Sequence, residues 1–401
     1  MMKKSGMAVV MVVLFPFTLV EETTRGDWPN FRGPRHDGIS DETGLKTKWT
    51  EPIPLLWERN VGSAFSSFSA VGDRLYTCGE EGGQQTLFCL NADTGAVLWK
   101  KPIEKAFRDP YGDGTRATPT VHDGKVYVLG GHGRLVCVRA EDGADVWTRQ
   151  FSNAPTWGYA GSVLIEGDMA VATAGKADGS IAAFHKDTGE LVWMCGDDPA
   201  GYATPYPFTF NGSRYLVGFT GVSVIVAEAR TGRLALRVPW ATSYDVNASS
   251  PIFHEGHLFV SSGYGTGAGV MKLMVDGDRL RAETVWKGKQ LLNKFQSCVL
   301  YGGHLFTSDE KSLKCVAFMS GETKWEVRRV KHSPVALADG HLFVMTEDGQ
   351  LQIAPVSPNE FAPTTHADLL SGKCWSVPVL HRGRFYARNL ERIVCFDLRS
   401  H

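Results

Sequence analysis

The stretch NADTGAVLWKK, residues 91–101, joins a tight turn to a short apolar segment. Gly95 can adopt a positive φ, and the Asp93 side chain can bond to its own backbone, so Asp-Thr-Gly predicts a turn. The Ala-Val-Leu-Trp that follows predicts a β-strand. A tryptophan stands four residues after the glycine, and the recurrence of this pattern along the chain decides the fold.

Two further patterns lie upstream of the glycine-then-aromatic pattern. One resembles Gly-His-Leu-Phe, and the other resembles Ala-Thr-Pro-Thr-Val. Each unit therefore predicts four strands joined by turns, and repeats of about 40–48 residues with four strands are typical of β-propeller blades. The glycine-then-aromatic pattern, in which Leu sometimes replaces Trp, occupies residues 87–99, 135–147, 181–193, 224–236 and 313–325.

The two ends of the chain carry complementary incomplete units. The last unit, from about Cys374, contains three predicted strands and lacks the strand with the tryptophan. LLWERNV at residues 55–61 has that strand without a preceding turn. Seven complete units and this composite unit predict an all-β, eight-bladed β-propeller of four-stranded antiparallel blades, closed by an N-terminal strand that completes the C-terminal blade.

The N-terminal region differs from the repeats. Residues 1–25 are predicted to be a signal peptide or an N-terminal anchor, residues 26–54 an arm, and residues 55–401 the propeller. A basic start precedes an uncharged apolar run that is too short to span a bilayer comfortably but suits a signal peptide. No Ala-x-Ala precedes Glu21, so cleavage and anchoring both stay open. Export to the periplasm or cell envelope is expected, and the arm could pack across a propeller face, pack on the outer wall or plug the channel.

Composition narrows the partners. The chain has 42 basic and 43 acidic residues, a formal net charge of −1, so no nucleic-acid partner is expected, since that would need a strongly basic surface. Membrane contact is expected only through an uncleaved N-terminal segment, and a monomer is expected. Eight cysteines occur without a Cys-x-x-Cys motif, so no metal site is predicted.

The repeats resemble those of the pyrroloquinoline-quinone (PQQ)-type propellers, whose units end in turns such as Asp-Thr-Gly-x-x-x-Trp. Within that superfamily the chain is most similar to exported bacterial PQQ-like propellers, a group often named after BamB. The resemblance spans roughly residues 28–401. It is carried by DWPNFRGP at 27–34, DGIS at 37–40, RATP at 116–119, WGY at 157–159 and SGYGTG at 262–267.

One tryptophan recurs per blade, so packing between neighbouring blades explains these residues. They are predicted to be structural and not cofactor platforms. The predicted structural tryptophans are Trp57, Trp99, Trp147, Trp193, Trp286 and Trp325.

Candidate functional residues precede the innermost strand of each blade, where they should converge at the mouth of the central channel. A ring of cations and flat aromatics could bind a planar anion, with Arg116 and Lys294 on its carboxylates and Trp375 or a tyrosine stacked on it. A wet channel mouth must also be polar without any ligand. The predicted ligand-binding residues are Arg116, Tyr159, Tyr202, Asn247, Lys294, Gln296, His332 and Trp375, beside Phe65 and Ser66.

The resemblance implies two functions. One is a scaffold of the cell envelope that binds an envelope protein or a small anionic ligand without catalysis. The other is a small PQQ-dependent quinoprotein dehydrogenase, using PQQ and calcium at the channel mouth. Such enzymes carry a vicinal Cys-Cys disulfide and an acidic calcium cluster. This chain has no Cys-Cys pair and offers only Asn247 and Asp245, so the sequence favours the scaffold.

Overall fold

Each repeat forms one four-stranded antiparallel sheet in the computed structural model, which describes residues 26–400. The predicted signal peptide or anchor, residues 1–25, lies outside the described residues. Helical structure within 26–400 is confined to two short 3-10 turns, Lys176–Asp178 and Ser243–Asp245. No helix in this range is long and apolar enough to cross a membrane.

The strands are numbered in chain order, and each blade places its first strand innermost. Strand β1 (Leu55–Asn60) precedes the first complete blade. Blade 1 consists of β2 (Ser69–Val71), β3 (Arg74–Glu81), β4 (Gln84–Asn91) and β5 (Val97–Lys105), and blade 2 of β6 (Thr120–His122), β7 (Lys125–Leu129), β8 (Arg134–Arg139) and β9 (Asp145–Gln150). Blade 3 consists of β10 (Leu164–Glu166), β11 (Met169–Thr173), β12 (Ile181–His185) and β13 (Leu191–Cys195), and blade 4 of β14 (Tyr206–Phe210), β15 (Ser213–Phe219), β16 (Ser223–Glu228) and β17 (Leu234–Pro239).

The second half of the ring repeats this order until the last blade, which borrows its outer strand from the start of the propeller. Blade 5 consists of β18 (Ile252–His254), β19 (His257–Ser262), β20 (Gly267–Asp276) and β21 (Arg279–Gly288), and blade 6 of β22 (Val299–Tyr301), β23 (His304–Ser308), β24 (Ser312–Ala317) and β25 (Thr323–Arg328). Blade 7 consists of β26 (Val335–Ala338), β27 (His341–Met345), β28 (Gln350–Pro355) and β29 (Thr365–Asp368). Blade 8 consists of β30 (Val379–His381), β31 (Arg384–Arg388) and β32 (Arg392–Asp397), with β1 as its outer strand.

The pairing of β1 with β32 confirms the predicted closure. The strands are antiparallel, with Trp57 opposite Cys395. Across this seam the buried Arg388 of blade 8 donates hydrogen bonds to the carbonyls of Ser66 at 3.0 Å and Cys78 at 2.7 Å in blade 1. Strand pairing and a buried guanidinium therefore join the first and last blades.

The hydrophobic core is distributed between the blades. Each of the eight clusters of buried residues in the described range combines side chains of two neighbouring blades, and together the clusters join every consecutive pair, including blades 8 and 1. At the seam, for example, Phe68 and Leu75 pack with Tyr386 and Ile393. The eight-bladed, all-β ring predicted from the repeats is confirmed.

The recurring tryptophan links six of the eight blades to the next one; the contacts from blade 4 to blade 5 and from blade 7 to blade 8 lack it. Trp147 at the edge of blade 2 donates from Nε1 to the carbonyl of Lys186 in blade 3 at 2.7 Å. Its indole covers Gly189, where a Cβ atom would lie 2.6 Å from the ring. The same ring-over-glycine contact joins Trp57 to Gly95, Trp99 to Gly143, Trp193 to Gly232 and Trp286 to Gly321, and Trp325 donates to the carbonyl of Ser357.

The interface between blades 4 and 5 is built differently. Leu236 occupies the position of the tryptophan in β17, pairing with Val226. Aromatic packing replaces the missing indole, since the ring centroids of Phe208 and Phe253 lie 4.4 Å apart. Trp240, just after β17, donates from Nε1 to Ser262 Oγ at 3.1 Å.

The arm crosses the propeller face at which the innermost strands end. Trp28 exchanges two backbone hydrogen bonds with Ala70 of blade 1, at 2.7 and 2.8 Å. Farther along, the backbone of Ser40 donates to Leu337 of blade 7 at 2.8 Å, and Leu45 forms a bridge to Arg399 beside blade 8. Of the three placements open from the sequence, the structure shows the arm across one face, and Phe31, from the segment considered as a plug, reaches into the channel.

Candidate ligand cavity in the central channel

A cavity of about 210 Å³ occupies the channel near the end at which the innermost strands begin. Part of its wall repeats from blade to blade, because one chain position contributes to it in most blades: the fourth residue before the innermost strand. In seven of the eight blades this residue lines the cavity, and the seven are Phe65, Arg116, Ala160, Tyr202, Ala248, Phe295 and Trp375.

A ring of hydroxyl groups holds this wall in place. In six of these seven blades a Ser or Thr stands two residues after the lining position; blade 8 has Val377 there. The backbone N–H of Ser67 donates to Thr118 Oγ1 at 3.1 Å, Thr118 donates to Ser162 Oγ at 2.9 Å, and Ser162 donates to Thr204 Oγ1 at 2.9 Å. Backbone donors that blade pairing leaves free are thereby satisfied by the next blade.

The arm also contributes to the cavity. Phe31 is one of the lining residues. The neighbouring Arg32 is buried, and its Nη2 donates to the carbonyls of Asp37 at 2.8 Å and Cys298 at 2.5 Å. Because the arm crosses the opposite face of the ring, Phe31 approaches the cavity from below and the loops above form its mouth.

Aromatic side chains from the loops surround the mouth. Tyr111 and Trp157 meet edge to face with centroids 5.4 Å apart. Trp375 lies 5.5 Å from Phe65 and 4.6 Å from Phe295, centroid to centroid. These half-buried or exposed rings give the cavity an apolar wall that remains open to solvent at the mouth.

Arg116, the first predicted cation, is already used by the protein. Its guanidinium donates to the carbonyls of Gly112 at 3.0 Å and Gly114 at 2.5 Å, and lies 3.5 Å from the carboxylate of Asp109. The carbon of the guanidinium is 4.5 Å from the ring centroid of Phe107. Burial lowers the pKa of Arg116, although Asp109 counteracts the effect. The side chain therefore holds the 109–116 loop, and its charge is compensated.

Lys294, the second predicted cation, is not compensated in this way. Its ammonium lies 4.7 Å from the ring centroid of Tyr264 and 5.6 Å from that of Tyr111. Among residues 26–400, no carboxylate oxygen lies within the 4.0 Å of Nζ that defines an ion pair. Glu310, which like Lys294 lies beside Gly263, accepts a hydrogen bond from the Tyr264 N–H at 3.0 Å. An ammonium that lies over aromatic rings and has no ion-pair partner within residues 26–400 can bind an anion.

Three of the eight predicted ligand-binding residues do not line the cavity. Tyr159 is buried between blades 2 and 3, where its hydroxyl donates to the carbonyl of Ala174 at 2.8 Å. Asn247 is fully buried and donates to the carbonyls of Thr220 at 2.7 Å and Trp240 at 3.0 Å. Both stand five residues before the innermost strand, one position from the lining residue, and so face the neighbouring blade.

His332 lies behind the wall. Its ring stacks on Phe295 with centroids 5.1 Å apart, and burial lowers the pKa of His332. Its carbonyl accepts a hydrogen bond at 2.8 Å from Gln296 Nε2. Gln296 itself lines the cavity, as do Arg116, Tyr202, Lys294 and Trp375, so the structure brings five of the eight predicted residues together.

Several lining aromatics were absent from the predicted set. Phe295 stands at the fixed offset before β22, so a strict alignment of the repeats would have found it. Phe31, Tyr111, Trp157 and Tyr264 lie in the arm and in irregular loops, which carry no repeat from which their position could be predicted.

The residues present do not fit calcium-bound PQQ. Ca²⁺ takes six to eight oxygen ligands, with carboxylates prominent among them. Asp109 is the carboxylate that lines the cavity, and its Oδ1 already accepts from the Tyr111 N–H at 2.7 Å beside Arg116. Within residues 26–400, no group of three or more His, Cys, Asp or Glu side chains could hold a metal ion.

The fold and the repeat chemistry define a PQQ-like β-propeller whose blades are docked by tryptophan. A model of the family described as "Outer membrane protein assembly factor BamB" matches residues 83–327, more than half of the chain. The chain belongs to this family.

Curated relatives support the same assignment. BamB of Shewanella oneidensis is 24% identical over 321 residues, which are 74% of this chain and 72% of that protein. BamB of Burkholderia pseudomallei is 28% identical over 211 residues, half of each chain.

Solved structures share the fold at low sequence identity. The crystal structure of BamB from Moraxella catarrhalis superposes with a TM-score of 0.61 and 13% identity, covering 88% of this chain and 99% of that chain. Quinohemoprotein alcohol dehydrogenase from Comamonas testosteroni gives a TM-score of 0.71 and 12% identity, covering 95% and 82%. At these identities both similarities show the fold alone.

Proposed function

We propose that this chain is a scaffold of the cell envelope that binds another envelope protein during outer membrane protein assembly, without catalysis of its own. Membership of the BamB family, whose printed description is an outer membrane protein assembly factor, is the observation that carries the proposal. The predicted export of the chain agrees with an envelope location.

The outer edges of several blades suit such binding. The last strand of each blade has one unpaired edge, which can accept an extended segment of a partner. On β13 this strand also exposes apolar side chains: Leu191 is 51% exposed, Val192 48% and Met194 49%. Apolar residues next to free backbone donors and acceptors supply both affinity and alignment for an added strand.

The rival function, a quinoprotein dehydrogenase, receives little support. Its structural counterpart shares only the fold. The channel offers one cavity carboxylate, already held by Arg116, where calcium would need several. We therefore keep PQQ-dependent oxidation as the outcome that would replace the scaffold proposal.

The proposal is tested by deleting the gene in the native host and measuring the heat-modifiable, folded fraction of its outer membrane β-barrel proteins. Loss of the chain should lower that fraction, and the wild-type gene should restore it. A photo-crosslinking residue at Val192 should capture an envelope protein. The same residue at Lys324, the matching position of blade 6, should not.

A measurement on the purified protein, combined with the deletion strain, can give the result that contradicts the scaffold proposal. An unchanged folded fraction in the deletion strain, together with dye reduction by the protein loaded with PQQ and Ca²⁺, would replace the scaffold with an oxidoreductase. If the ligand were present at 100 times its dissociation constant, binding would stabilise the fold by about 2.7 kcal/mol, which a thermal-shift measurement would detect.

A further inference from the structure

We propose that the central cavity binds an aromatic compound that carries a single negative charge, with its carboxylate at Lys294 and its ring against the aromatic wall. This inference goes beyond the proposed scaffold and does not depend on it. It also differs from PQQ, because a tricarboxylate requires more cationic partners than the cavity provides.

The wall of the cavity selects for a flat apolar body. Rings of Phe65, Tyr202, Phe295 and Trp375 come from four different blades, and Phe31 of the arm faces them. Aromatic rings prefer offset or edge-on contact with other rings, and such pairs contribute beyond simple area burial. A planar aromatic ligand can satisfy several of these ring-to-ring contacts at once.

The charges of the cavity select for one anion. Arg116 and Asp109 compensate each other, and both are also bonded to the backbone of their own loop. Lys294 is left as the lining cation without an ion-pair partner in residues 26–400. Its contacts with Tyr264 and Tyr111 are to ring faces, which leave its three N–H donors free for a carboxylate.

Additional anionic groups would be penalised. A second or third carboxylate would lose its hydration inside the cavity without gaining a cation, and burying an unpaired charge is costly. A cationic ligand would meet Lys294 at close range. Lys373 does not supply a second site, because it is not a lining residue and its ammonium, over the Trp375 ring at the rim, already donates to the carbonyl of Tyr111. The negative charge of Glu310 opposes the attraction of Lys294 for an anion, but its carboxylate accepts a hydrogen bond from the Tyr264 backbone.

The hydroxyl of Tyr202 provides a second polar contact. It accepts the backbone N–H of Trp157 at 3.3 Å, which leaves its own hydrogen available to a ligand oxygen. Burial raises the pKa of Tyr202 to about 12, so the hydroxyl keeps that hydrogen near neutral pH. Both residues line the cavity, so Tyr202 offers a ligand oxygen a donor in addition to Lys294.

The test uses the purified protein and three probes that share one ring system: 2-naphthoate, its neutral amide and 2-naphthylmethylammonium. Calorimetry at low ionic strength should show naphthoate binding at least tenfold more tightly than the amide, and no measurable binding of the ammonium compound. Lys294→Met should remove the preference for naphthoate over the amide. Lys294→Arg should retain most of the preference for naphthoate over the amide, because it keeps the positive charge.

Lys287→Met is the matched control. Lys287 also lies over an aromatic ring, that of Trp240 at 4.4 Å, but outside the cavity, so its loss should leave all three affinities unchanged. Equal affinity for naphthoate and its amide, or an unchanged preference in Lys294→Met, would overturn the proposal. Tighter binding of PQQ than of naphthoate, without Ca²⁺, would also overturn it. None of these outcomes affects the assembly phenotype or crosslinking at Val192.

Discussion

The blade interfaces and the central channel are built from the same repeat, but they use it in opposite ways. At the interfaces one solution recurs: an indole over a glycine, as in Trp147 over Gly189 and Trp193 over Gly232. In the channel the equivalent positions carry Arg116, Ala160 and other residues of unlike size and charge. The interface positions are constrained because each indole packs on the same glycine turn of the neighbouring blade. Each channel position faces an open space and can vary.

This difference separates stability from binding. Substitutions at the interfaces should cost folding free energy with little effect on the cavity, and substitutions of free channel residues should do the reverse.

Removal of an interface indole should have the largest effect. Trp147→Ala deletes a buried ring and its hydrogen bond to Lys186, and we expect a loss of about 3–5 kcal/mol in the free energy of unfolding. Urea denaturation followed by far-UV circular dichroism measures it. Trp157→Ala removes an equally large ring from the channel mouth and should cost less than about 1 kcal/mol. Equal losses would mean that the channel rings are also structural.

The glycine beneath the indole provides a sharper test. Gly189 and Gly167 both have positive φ, 69° and 59°, but a Cβ at Gly189 would lie 2.6 Å from Trp147, whereas nothing lies within 4 Å at Gly167. Both Ala variants share the left-handed backbone cost of about 1–2 kcal/mol. Gly189→Ala should lose about 1–3 kcal/mol more through the clash. Matching unfolding curves for the two variants would show that the ring can move aside.

The regular spacing of these glycines and tryptophans explains which features of the fold could be predicted from the sequence. Gly95 and Trp57 recur in register with their counterparts in other blades, so blade number, strand content and ring closure followed from the spacing. Whether a residue faces the channel depends on an offset of one position. Tyr159 and Asn247 were predicted at the channel, but the structure places Ala160 and Ala248 there. Loop residues such as Tyr111 could not be predicted, because their approach depends on contacts outside the repeat.

The arm introduces a pH dependence. Burial lowers the pKa of His36 from its ordinary 6.5 to about 4. Above pH 6.5 neither the folded nor the unfolded chain binds a proton there. Between pH 6.5 and 4 mainly the unfolded chain binds it, so stability falls as the pH falls, and below pH 4 the loss is complete. One pKa unit corresponds to about 1.4 kcal/mol, so the loss between pH 7 and 5 should be about 2 kcal/mol.

Urea denaturation of wild type and His36→Gln at both pH values isolates this effect, because every other titrating group is common to the two proteins. The variant should lose about 2 kcal/mol less than wild type on acidification. Identical losses would show that the protonation of His36 does not contribute to the loss of stability on acidification.

The smallest stability change is expected at the residue that the cavity needs most. Arg116→Met leaves two loop carbonyls and Asp109 without their donor, and unsatisfied buried groups cost about 1–3 kcal/mol. Lys294→Met loses only contacts with aromatic faces, which a methionine sulfur can replace, so its free energy of unfolding should change by less than about 0.5 kcal/mol. Thermal and urea unfolding of both variants decide the matter. If Lys294→Met were as destabilising as Arg116→Met, its charge would serve the fold and the cavity would have no cation reserved for a ligand.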